Sequence, residues 1–100
     1  MPITVQKTGG ELTVDLEGAV TIRHAQEMAE QIGEHMDGVV SVTVGTTRLR
    51  DVDTSILQLL CSLRKTVQGF RLESPSREFV AAVDRSGLRL ELLGAVREGA

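Results

Sequence analysis

The chain carries one cysteine, two prolines, two phenylalanines, and neither tryptophan nor tyrosine. A lone thiol, Cys61, cannot close an intrachain disulfide or complete a four-ligand zinc site. Its use fits a reducing compartment. Phe70 and Phe79 are too few for the stacking platforms that hold single-stranded nucleic acid or sugars. Positive charge is not in excess: Lys+Arg 11 against Asp+Glu 14 gives a net charge of -3, which argues against a general nucleic-acid binder. No apolar run approaches the ~18–20 residues that span a bilayer, so direct membrane insertion is not expected. The opening MPITVQKTGGE has no basic stretch followed by an apolar one, so the expectation is a cytoplasmic protein without a signal peptide. His24 and His35 fall three turns apart on one helix and cannot share a metal ion. No ligand cluster, Gly-rich phosphate loop or cofactor motif is present, so no metal, cofactor or catalytic residue is assigned. Asp51 and Asp53 could pair as carboxylates, but nothing near them suggests a nucleophile.

What is present is an ordinary globular composition, 41% hydrophobic and 25% charged over 100 residues. That length implies one domain, 1–100, with an aliphatic core. Ile3 and Val5, then Leu12, Val14 and Leu16, alternate with polar residues around Gly9-Gly10, which predicts a β-hairpin. After Gly18 the period changes. Ile22, Ala25, Met28, Ile32 and Met36 mark an amphipathic helix capped by Thr21 and stopped at Asp37-Gly38. The β-branched run Val39–Val44 reads as a buried central strand, and Gly45 to Asp53 as a polar connection. Ile56, Leu59, Leu60, Leu63 and Val67 mark a second helix, with Ser55 and Gln58 matching a capping box. Phe70–Leu72 is a short strand. Ser74-Pro75 opens a third helix with Phe79, Ala82 and Val83 inward and Gly87 as its stop. Leu88, Leu90 and Leu92 alternate, predicting a last strand, and 94–100 is expected to fray.

The predicted order is β-β-α-β-α-β-α-β. Strands joined through single helices imply a mostly parallel sheet, and the opening hairpin makes it mixed. The fold class is therefore α/β, with about five strands and three or more helices.

The segment Val52-Asp53-Thr54-Ser55, followed by Leu57, opens the second helix straight after the central strand. It resembles the STAS family, the sulphate-transporter and anti-sigma-factor-antagonist domain. The likeness spans about 10–93 and includes the element order, Leu16-Glu17-Gly18, the first helix, the Phe70–Ser76 region and Gly87-Leu88. It implies a non-enzymatic regulatory module of bacterial type. In the antagonist branch the serine at the position of Ser55 is phosphorylated by an anti-sigma kinase, and the unphosphorylated form binds that kinase. Two positions depart from the family pattern. Gly45 stands where the family carries Asp, and Ile56, where it carries Gly, is expected to put bulk beside the hydroxyl. Other branches imply other partners: a chemosensory component, or the ATPase of a lipid-transport ABC complex, where Thr54 is the notable position.

The residues themselves leave alternatives open. Ser55 reads as a phosphoacceptor or as a helix cap, and a cap hydroxyl already lies at the anion-binding end of a helix. Arg48, Arg50, Asp51, Asp53 and Thr54 read as partner contacts or as solvated charge and cap residues around the loop. Cys61 reads as core filler, because no local base accompanies it. Glu27, Glu30 and Glu34 read as a wet helix face.

Overall fold

The computed structural model describes residues 2–93. β1 (Ile3–Thr8) and β2 (Glu11–Val20) form the expected hairpin, in register from Ile3 opposite Leu16 to Thr8 opposite Glu11. A single 3-10 turn, Ile22–His24, leads into α1 (Ala25–His35). β3 (Ser41–Val52), α2 (Thr54–Thr66), β4 (Gly69–Glu73), α3 (Arg77–Arg85) and α4 (Arg89–Leu92) follow. The sheet order is β1-β2-β3-β4, with β1 antiparallel to β2 and the other neighbours parallel.

Strand parity assigns the two faces. Leu12 pairs with Val42, Val14 with Val44, and Val44 with Leu72, and all are buried. They join Met28, Ile56, Leu60 and Phe79 from the helices in one apolar core, aliphatic but for Phe79 among these. The opposite parity holds Thr4, Gln6, Glu11, Asp15, Arg71 and Glu73, all exposed. The helices therefore cover one face of the sheet, and among the described residues the other face is bare. On that face Thr43 is buried under the long side chains beside it. Its hydroxyl donates to Glu11 Oε2 at 3.0 Å, and Arg71 reaches Glu11 at 4.0 Å.

Among the described residues the sheet has four strands, where about five were expected. Leu88–Leu92 forms a helical turn, closed by Leu92 N–H donating to the Leu88 carbonyl at 2.9 Å. Gly87, at φ 71°, ends α3 in the left-handed conformation and redirects the chain. Leu92 and Leu93 then enter the core while Leu90 stays 81% exposed, so the leucine alternation does not define a sheet face.

The connection expected from Gly45 to Asp53 is strand for most of its length. β3 runs on to Val52, paired with β2 through two register shifts, and Thr46, Leu49 and Val52 are buried. Each bulge displaces the alternation, so the buried residues recur at three and not two. Val39 and Val40 precede the strand, and α3 starts one residue after its cap, Ser76, whose Oγ accepts from Phe79 N–H at 3.1 Å. The expected fraying of 94–100 lies outside the described residues.

Removal of a core side chain and removal of Leu90 should differ sharply. Phe79→Ala empties a fully buried site and should cost about 3–5 kcal/mol. Leu90→Ser should stay within about 0.5 kcal/mol of wild type. Urea unfolding followed by circular dichroism measures both. A large loss with Leu90→Ser would mean that Leu90 is an inward strand residue after all.

Candidate functional site

The site forms where β3 gives way to α2. Asp53 is still extended (φ -79°, ψ 152°), because its N–H donates to the Val20 carbonyl at 3.0 Å and prolongs the β2–β3 ladder. Helical geometry begins only at Thr54, so Asp53 takes the cap position. Its Oδ2 accepts from Ser55 N–H at 3.0 Å and from Ser55 Oγ at 2.7 Å. The expected Ser55–Gln58 capping box is therefore displaced by two residues: Ser55 is the second residue of the helix, and the cap is Asp53. Both residue types cap well, and the last rung of the ladder decides between them.

Ile56 and Leu57 are fully buried and anchor the first turn of α2 in the core. The bulk at Ile56 thus goes inward and does not crowd the hydroxyl. Ser55 is half-buried, and Asp53 and Thr54 are exposed. Thr54 Oγ1 lies 3.1 Å from Ser86 Oγ, at the end of α3. Ser86 joins the site from 32 residues away. The sequence marked only its neighbour Gly87, as a helix stop, with nothing to place Ser86 beside Thr54.

The 3-10 turn flanks the same corner and packs against α2. Thr21 N–H donates to His24 Nδ1 at 2.9 Å, while Thr21 Oγ1 accepts from Arg23 N–H at 3.3 Å. This reciprocal cap fixes the turn and leaves Ile22 64% exposed beside it.

The remaining candidates are spread along β3. Arg48 and Asp53 are separated by five residues of strand, about 16 Å at the usual rise. Arg48 lies 3.8 Å from Glu17, an exposed pair that contributes little to stability. Arg50 sits at the second register shift, and Asp51 pairs with Ala19; both are exposed. Arg48 also borders a shallow depression of about 330 Å³ on the bare face, beside Asp15, Gly45 and Thr47. Asp15 and Gly45 are cross-strand partners, and a β-carbon at 45 would meet Asp15 Oδ1. Asp15 thus places a carboxylate beside Gly45.

On α2 and at its cap, two titrating groups are displaced from their ordinary values. The Ser55 N–H, and then the Ser55 hydroxyl, hold the Asp53 carboxyl below the usual carboxylate value. Burial, and then the Glu91 carboxylate, push the Cys61 thiol up. Cys61 thus stays protonated near neutrality, half-buried on α2.

Because folding lowers the Asp53 value, its contribution is complete above the unfolded value of about 3.9. It drains away as pH falls through the folded value. Asp53→Asn keeps an acceptor for Ser55 N–H but cannot titrate. Urea midpoints of wild type and variant should therefore differ most at about pH 6 and converge toward about pH 2. A constant gap across that range would show that the carboxylate charge adds nothing to the cap.

A family model described as "Mlab, STAS domain" matches residues 3–95. Among curated proteins no sequence matches the chain. The anti-sigma factor antagonist SpoIIAA, solved in its unphosphorylated form, superposes with a TM-score of 0.74 at 17% identity, over 86% of this chain and 81% of that one. The Bacillus cell fate determinant SpoIIAA, solved in its phosphorylated form, superposes with a TM-score of 0.66 at 19% identity, over 86% and 84%. The two likenesses show a common fold, a mixed sheet with helices arranged as in SpoIIAA.

Proposed function

The chain belongs to the STAS domain family, and on that premise we propose that it is a non-catalytic regulatory module that binds another protein around Ser55 and is switched by phosphorylation there. One observation carries this reading. Ser55 Oγ donates its proton to Asp53 Oδ2 at 2.7 Å on the first turn of a helix. A carboxylate that holds the hydroxyl proton leaves the oxygen lone pairs free for an incoming phosphoryl group.

The same contact makes the modification a switch. Phosphorylation removes the Oγ donor and sets about -1.5 to -2 charges against the Asp53 carboxylate. The two groups then repel, and Asp53 must turn away. The first N–H groups of α2 lose their carboxylate cap and face the phosphate instead. Ile56 and Leu57 remain buried, so the fold persists while the surface becomes strongly negative. Asp53 and Thr54 form the centre of the proposed contact, and Asp51, Arg50 and Arg48 extend it along β3. Arg48 and Arg50 would meet acidic groups of the partner. An anti-sigma-type kinase and a chemosensory component are the partner classes this reading favours.

A second reading rests on Thr54. Its hydroxyl is tied to Ser86, and the matching family model carries the Mlab description. In this reading the chain is a constitutive subunit of a lipid-transport ABC complex and docks on its ATPase through Thr54, without modification of Ser55.

An affinity capture from the native host separates the two. Wild type and Ser55→Ala should retain one partner that Ser55→Asp loses, and the intact mass of the endogenous protein should show one added phosphoryl group. Equal capture by all three, an unmodified mass and loss with Thr54→Trp would reject the switch and establish the constitutive subunit.

A further inference from the structure

The two histidines at the ends of α1 use the same ring atom in opposite ways. Thr21 N–H donates to His24 Nδ1 at 2.9 Å. A backbone N–H can only donate, so this Nδ1 is an acceptor and the ring proton sits on Nε2. His35 Nδ1 lies 2.7 Å from the Gln31 carbonyl oxygen. A carbonyl can only accept, so this Nδ1 carries the proton. Both rings are half-buried.

Protonation therefore acts differently on the two. An imidazolium carries a proton on both nitrogens and accepts nothing. At His24 the added proton falls on the atom that takes the Thr21 N–H, and that bond must break. Thr21 Oγ1, 3.3 Å from the same nitrogen, can receive the new proton. The Thr21 N–H, however, loses the one acceptor it has among the described residues. At His35 the added proton falls on Nε2, and the bond to Gln31 survives. The helix dipole acts in the same sense. A positive charge on His24 stands at the N-terminal end of α1, where the dipole opposes it. One on His35 stands in the last turn, where the dipole favours it.

The charged groups on the elements around His24 are few. Arg23 and Glu27 flank it in the turn and the start of α1. Asp51 and Asp53 stand at the end of β3, beside Ala19 and Val20. α2 brings none from Thr54 to Leu60. Around His35 they are Glu34 and Asp37, Lys7 of β1, which donates to the Asp37 carbonyl, and Arg64 and Lys65 in the last turn of α2. Among the described residues no carboxylate bonds to either ring. We propose that His24 is an acid-sensitive latch on the 3-10 turn Ile22–His24, closed while its imidazole is neutral and opened when it is protonated. Histidine is the side chain whose charge ordinarily changes between about pH 5 and 8. The turn borders the Ser55 corner, because Val20, which accepts the Asp53 N–H, directly precedes Thr21. Opening the latch releases the turn that presents Ile22 beside that corner. The latch belongs to the free protein and holds whether or not Ser55 is a phosphoacceptor.

The test is an NMR titration of the isotope-labelled protein from about pH 8 to about pH 5. This window lies above the one in which the Asp53 cap is lost. At its upper end, imidazole correlation spectra should show the His24 proton on Nε2 and the His35 proton on Nδ1. As His24 takes its second proton, the Thr21 amide should shift with the same midpoint. Corrected for its intrinsic pH dependence, exchange of that amide with solvent should become about fivefold faster. His24→Gln supplies an acceptor that does not titrate and completes a Thr-x-x-Gln capping box. Its Thr21 amide should stay protected throughout. His35→Gln should leave the Thr21 response unchanged. A proton on Nδ1 of neutral His24, a Thr21 amide that ignores the His24 titration, or a response that survives in His24→Gln overturns the proposal. So does loss of the response in His35→Gln, since the other ring is then its source.

Discussion

The parallel pairing of β2 with β3 is the constraint on which the rest of the molecule depends. It buries Leu12 against Val42 and Val14 against Val44, and it continues past two bulges to Val20 and Val52. Its final rung, from Asp53 N–H to the Val20 carbonyl, holds the backbone extended for one residue more. That residue becomes the cap of α2. The side chains that follow then have fixed assignments: Thr54 toward α3, Ser55 to the carboxylate, and Ile56 and Leu57 into the core. The site stands where a sheet and a core meet, although its polar atoms are near solvent.

The fold divides the surface by chemistry. Helices cover one face of the sheet, and the other carries carboxylates, hydroxyls and a few basic groups. The polar site lies at the rim between these layers, where strands end and helices begin. The first turn of α2 is anchored there by two fully buried residues. In the proposed reading, a partner at the polar site would meet the end of a helix that is anchored in the core.

Elements with a clean period were legible in the sequence. The hairpin, α1, α2 and α3 all show it, and Phe79, Ala82 and Val83 point inward as their spacing requires. The misreadings have physical causes. The far half of β3 is bulged, so its buried residues do not alternate and it looks like a loop. Leu88, Leu90 and Leu92 do alternate, yet a left-handed Gly87 and an i to i+4 hydrogen bond turn them into a helix. Within the site, Ser55 and Thr54 were legible as cap candidates and Asp53 as a carboxylate near the helix start. That Asp53 is the cap was not, because that depends on a hydrogen bond to Val20. Ser86 was invisible as a partner of Thr54, since its place is set by the packing of α3 and not by its neighbours in sequence.

The crossing of Asp15 and Gly45 has an evolutionary consequence. The two positions face each other across neighbouring strands, and the space beside residue 45 already holds the carboxylate of residue 15. A change from Gly to Asp at 45 forces the Asp15 side chain aside and sets two like charges opposite one another. Asp15 is exposed and its carboxylate is the movable end of the side chain, so the steric part of the change is cheap and the like-charge pair, about 0.2–1 kcal/mol, is what remains. One carboxylate at this crossing, supplied from either strand, puts its charge at nearly the same place on the bare face.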